Sequence, residues 1–139
     1  MRRIIAISSL LLLLLCGCAP YDVTSRYATL EDARTDRLFE RGWLPDLLPT
    51  SATQIRTEND LDLNISEGEF SFAPADANAL FERLSKGAPP TSRLDDWQET
   101  VDSYVRRGYS TWSFHDEDST WAFFCTAQRG RCEYLMWLR

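Results

Sequence analysis

Thr120-Trp121-Ala122-Phe123-Phe124-Cys125-Thr126-Ala127-Gln128-Arg129-Gly130-Arg131-Cys132-Glu133-Tyr134-Leu135-Met136-Trp137-Leu138 is the stretch that decides the fold. Two apolar runs flank a short polar loop, which reads as a β-hairpin. In the first run Trp121, Phe123 and Cys125 point one way and Ala122 and Phe124 the other; in the second, Tyr134 and Met136 oppose Leu135 and Trp137. A loop centred between Gln128 and Arg129, with Gly130 in the left-handed conformation, sets Cys125 opposite Cys132. Upstream, Tyr109 to His115 supplies another strand and Asp116-Glu117-Asp118 a polar turn, so the chain ends in an antiparallel β-meander. A sheet apolar on both faces is either covered on both sides or offers one face to a partner. The expectation is helices over one face and the amino-terminal segment over part of the other, with Trp137 a candidate partner contact.

Working back along the chain, Ser92 and Asp95 match a capping box, and Leu94, Trp97, Val101, Tyr104 and Val105 share a helical stripe ended by Gly108. Ala88-Pro89-Pro90 is a linker. Pro74 opens a second helix, with Ala77, Leu80, Phe81 and Leu84 at helical spacing and Gly87 closing it. Between Thr53 and Phe72 the pattern alternates as in two or three short strands, with Gly68 available for a turn. Gly42 to Pro49 forms a Pro-bounded apolar turn. Thr29 and Asp32 suggest another capping box, opening a helix of about 12 residues that reaches Arg41. The expected fold class is α+β: a small single domain over 29–139, an antiparallel sheet with two or three helices packed on it.

The amino terminus has a different character. Arg2 and Arg3 precede an apolar run from Ile4 to Leu15, the order of a secretory signal. The run is too short for a bilayer-spanning helix, which needs about 20 residues. Leu15-Cys16-Gly17-Cys18 resembles the cleavage and lipid-attachment box of bacterial lipoproteins. The resemblance implies a signal peptide over 1–17, cleavage before Cys18, and acylation of Cys18 as the link to membrane lipid. Two or more acyl chains anchor stably where one does not. Ala19 rather than Asp after the lipidated Cys favours the outer membrane by the same resemblance. Residues 18–28 are expected to be the lipidated terminus and a tether, short enough to keep the domain within about 30 Å of the bilayer.

Without Arg2 and Arg3 the 15 basic residues fall to 13 against 21 acidic, a formal charge of −8. A domain with one Lys and no basic cluster is a poor partner for nucleic acid. With Cys16 and Cys18 assigned to the leader box, Cys125 and Cys132 remain as a pair in an exported chain, where disulfides persist. Their opposed register places the Cα atoms about 4.5–5.5 Å apart, within the range a disulfide accepts. A metal pair or a reactive thiol pair is the alternative, but one His and no other Cys remain to complete such a site.

The segment Arg41-Gly42-Trp43-Leu44-Pro45-Asp46-Leu47-Leu48-Pro49-Thr50-Ser51-Ala52-Thr53-Gln54-Ile55 resembles the R-G-W-[LI]-P-x-x-[LF]-P-x-S-A-x-x-I signature of small bacterial proteins with a YbbD-type head domain. The resemblance extends through Asp62 and Asn64 to Phe72, so residues 29–72 make up the head segment. Many such proteins carry a lipoprotein leader, and the family supplies no catalytic residues to carry over. Physically the motif reads as a fold signature in which two Pro fix the path and Trp43, Leu47 and Leu48 plug a core. As a binding loop, the same segment would present Trp43 and Leu47 to a partner.

Chemistry-bearing clusters are few. His115, the single His, stands beside Asp116, Glu117, Asp118 and Ser119, but neighbours on a tight turn point apart, whereas a catalytic constellation converges from separate segments. Asp60-Leu61-Asp62-Leu63-Asn64 starts like a calcium loop and then fails, with Ile65 where Gly is required and Ser71 where a bidentate Glu is needed. No catalytic, cofactor or metal residues are expected. The expected function is a membrane-anchored cell-envelope lipoprotein acting as a non-enzymatic binding module for another envelope protein. The alternative is a small-ligand-binding or hydrolytic envelope protein using carboxylates such as Glu67, Glu69 or Asp116.

Overall fold

A computed structural model describes residues 22–139; the expected signal peptide 1–17, Cys18 and the first residues of the tether lie outside the described residues. The elements are β1 (Asp22–Thr29), α1 (Leu30–Thr35), β2 (Thr53–Asp60), β3 (Ile65–Ser71), a 3-10 turn (Pro74–Asp76), α2 (Ala77–Phe81), β4 (Ser85–Lys86), α3 (Trp97–Arg106), β5 (Ser110–His115), β6 (Ser119–Thr126) and β7 (Arg131–Leu138). All seven strands form one antiparallel sheet in the order β1-β2-β3-β7-β6-β5-β4. The architecture is therefore sheet-dominated with three short helices, richer in strand than the sequence pattern predicts.

The meander forms as expected. Cys125 pairs with Cys132 across β6 and β7, their Cα atoms 4.2 Å apart, and the two are joined by a disulfide. Gly130 closes the loop at φ 58°, where a Cβ would lie 1.9 Å from the Phe72 carbonyl oxygen. Only glycine fits that close approach. Trp121, Phe123, Cys125, Cys132, Tyr134 and Met136 face the main core, covered by α1, the 43–52 turn and α2. On the opposite face Ala122, Phe124 and Trp137 form a second cluster under Trp97. The Trp97 ring meets Trp137 edge to face at 5.3 Å, and its indole N–H donates to the Pro89 carbonyl at 2.8 Å. Both faces of the meander are thus covered by the chain itself.

Four expectations are corrected. Residues 22–28, expected as tether, are most of strand β1 along the sheet edge; only Tyr27 is buried there and Ser25 half-buried, so no apolar alternation announces the strand. Gly68 makes no turn but sits inside β3 opposite Thr57, where a Cβ would come within 2.1 Å of the Arg56 carbonyl oxygen and 2.7 Å of the Tyr134 ring. The turn falls at 61–64 instead, with the Asp60 carboxylate accepting from the Asp62 and Leu63 amides at 2.9 Å each. The helices are shorter than their patterns. In α1 the Thr29–Asp32 capping box forms, but the helix stops at Thr35. The Leu38 amide reaches back to the Ala33 carbonyl and the Arg37 amide to that of Arg34, with Arg37 at φ 58°, a Schellman closure that drives Leu38 into the core. In the second helix, the chain leaves α2 after Phe81 so that β4 can pair with β5 and cover part of its edge. The Ser92–Asp95 box does not form; α3 starts at Trp97 after a left-handed Asp96 with no side-chain cap.

Candidate interaction face

Antiparallel pairing puts directly opposed side chains on one face. On the half of the sheet made by β1, β2 and β3, the face that α3 covers over the meander carries charged rows. Arg26 lies opposite Arg56, Glu58 opposite Glu67, Asp22 opposite Asp60, and Glu69 opposite Glu133 of β7. Like charges set directly across a ladder are destabilising. Offsetting contacts run along and between strands: Arg56 pairs with Glu58, and Arg131 pairs with Glu69 and lies 3.9 Å from Glu133. Arg26 is exposed and makes no ion pair among the described residues.

A bulge in β2 between Thr53 and Arg56, with Gln54 at φ 51°, opens a concavity of about 410 Å³ at this place. Arg26, Arg56 and Arg131 line it, with Glu69 and Ser71 beside them. At the border with α3, Tyr104 donates to Glu133 at 2.6 Å and Tyr109 donates to its other oxygen at 3.3 Å. Tyr104 stacks on Phe124 at 3.9 Å, and the Arg107 guanidinium lies 4.3 Å above the Tyr104 ring. Burial, then the hydrogen bond and charge of Glu133, push the Tyr104 hydroxyl up to about 12. The phenol therefore stays a neutral donor holding Glu133 in place.

The residues singled out in the sequence fall as follows. Leu47 is 3% and Trp137 4% exposed, so neither presents its side chain to a partner, because the Pro-bounded turn and α3 bury them. Trp43 is half-buried against the main core, and its carbonyl accepts from the Trp121 indole at 3.2 Å. The motif's remaining residues are structural too. Arg83 donates to the carbonyls of Asp46 and Leu47, and Arg41 binds Asp36 at 2.9 Å and the Tyr27 hydroxyl at 3.0 Å. The hydrogen bond from Arg41 first, and that which the Tyr27 hydroxyl donates to Asp36 at 2.5 Å second, hold the Asp36 carboxyl below the ordinary carboxylate range. Glu67 and Glu69 share the charged face, whereas Asp116 sits in the β5–β6 turn accepting from the Asp118 and Ser119 amides. His115 accompanies it, its Nδ1 3.0 Å from the Thr120 hydroxyl. The Arg26–Arg56 pair was missed in the sequence because it depends on β1 being a strand.

No curated protein and no solved structure matches the chain. A family model described as the YbbD head domain matches residues 22–71, the span from the first residue of β1 to the last of β3. The part of the sheet that carries the Arg26–Arg56 pair is thus the part of the chain that is similar to the YbbD head domain.

Proposed function

We propose that this chain is a cell-envelope lipoprotein, held in the outer membrane through acylated Cys18, whose domain is a non-enzymatic module binding another envelope protein. The leader and the Leu15–Cys18 box support the anchor. The binding surface is the charged face of β1–β3, and the carrying observation is Arg26 set directly opposite Arg56 at the rim of a concavity that Arg131 also lines. Arg56 has Glu58 along its strand and Glu69 across from it, whereas Arg26 has no ion pair among the described residues, so a carboxylate from a partner would complete the set. The carboxylates nearby have structural partners: Glu69 has Arg131, and Glu133 has Tyr104 and Tyr109.

Arg26→Glu separates binding from folding. The substitution creates an opposite-charge pair with Arg56, so the isolated domain should gain a few tenths of a kcal/mol, up to about 1 kcal/mol, in urea denaturation. A photocrosslinker placed at Ser71 in intact cells should lose its adduct in the Arg26→Glu background. An undiminished adduct in that background would falsify the assignment of this face. For the anchor, labelled palmitate should be incorporated in the parent chain and absent after Cys18→Ser.

A further inference from the structure

Four large apolar side chains are exposed among the described residues, and three of them gather at one end of the sheet. Val23 is 47%, Leu61 42% and Leu63 63% exposed, while the fourth, Val105, lies on α3. Leu61 and Leu63 stand in the turn between β2 and β3; Val23 pairs with Asn59 just before that turn. Turn closure uses Asp60 and the backbone, so neither leucine is needed for it. Leu63 and Ile65 border a shallow groove of about 260 Å³ beside Asp22, Glu58, Asp60 and Glu67.

The start of β1 lies at this same end, since Asp22 pairs with Asp60. Between Cys18 and Asp22 the chain can reach no more than about 14 Å. We infer that the 61–64 turn, with Val23, docks on the bilayer that holds the anchor, setting Leu61 and Leu63 at the boundary of headgroups and acyl chains. This inference rests on acylation of Cys18. A tether makes the contact intramolecular, so a small apolar surface suffices where a free protein would need far more. Charge selects the lipid. Asp22, Asp60 and Asp62 surround the leucines, and Asp116, Glu117 and Asp118 occupy another turn at the same end, so the surface that fits is zwitterionic and not anionic.

The test uses the full acylated chain in phosphatidylcholine vesicles with brominated acyl chains. Leu63→Trp places a reporter at an exposed turn position, and the unsubstituted chain with its five Trp supplies the background. The reporter's emission should drop by roughly half or more relative to unbrominated vesicles, as expected for a ring at the acyl boundary. Adding Leu61→Ser should reduce that quenching, and phosphatidylglycerol vesicles should show less of it. A chain that floats with the vesicles but whose reporter is unquenched leaves the turn to a protein partner and overturns the docking alone. A chain that does not float removes the anchor and the docking together. Stronger quenching in phosphatidylglycerol overturns the choice of a zwitterionic surface.

Discussion

Gly68 shows how far a single side chain governs this sheet. Its missing Cβ lets the Tyr134 ring lie flat on β3, where the Tyr134 hydroxyl is 3.3 Å from Ser66, itself bound to Asn59 at 2.6 Å. Burial pushes the Tyr134 hydroxyl up, so it remains neutral in this cluster. Gly68→Ala should cost about 1–3 kcal/mol in chemical denaturation, because neither the Arg56 carbonyl nor the ring can yield without disturbing the ladder. Asp36 gives a pH signature. Its folded carboxyl titrates below its ordinary value, so its contribution is complete above that value and disappears as pH falls through the depressed one. Asp36→Asn should therefore be less stable than the parent near neutrality, with the gap closing on acidification when stability is followed against pH. At this scale the sequence was only partly legible. The Thr29–Asp32 box could be read because both partners are local, whereas Arg37 takes the left-handed helix-ending position usually held by glycine, and nothing in its chemistry signals that.

At the scale of elements, strands with strong alternation were the readable ones. In β6 and β7 each face carries large side chains, so period, register and the Cys125–Cys132 pair all followed from spacing. Strand β1 gave no such signal: it is an edge strand with charged and hydroxyl side chains, and a neighbour's hydrogen bonds, not its own burial, hold it extended. The second helix misled for the opposite reason, since Leu84 continues the helical stripe of Leu80 and Phe81 while packing on the core from a turn. Phe81 stacks on Trp112 at 4.5 Å and takes the chain to the β5 edge. The disulfide closes a short loop between neighbouring strands. Replacing both Cys by Ala should cost about 2–3 kcal/mol by thermal or urea unfolding, with the meander retained in circular dichroism. Trp137→Ala belongs here as a packing change beneath α3, expected to cost about 3–5 kcal/mol.

Across the whole molecule, the head segment and the meander are two halves of one sheet joined along β3 and β7. Phe70 of β3 meets Phe123 at 6.4 Å, and Tyr134 fills the space over Gly68, so the main core belongs to both halves. A fragment of residues 22–71 exposes one full edge of β3 and much of the core surface. It should lack a cooperative unfolding transition, and a fragment that melts cooperatively as a monomer would contradict a shared core. The candidate binding face was legible only as composition: arginines and glutamates could be counted, but which ones oppose each other depended on the place of the β2–β3 turn and on a strand the pattern did not announce.

The central position of β7 also imposes an order in time. The last of the described strands lies between β3 and β6, so the amino-terminal half has no permanent neighbour until the carboxy-terminal residues arrive. Pairings this distant in sequence close slowly, because a long loop must be ordered before any contact rewards it. On the export proposed above, the sheet is completed only once Arg131–Leu138 has crossed. Until then β3 stays an open edge, the species most in need of protection from its own copies.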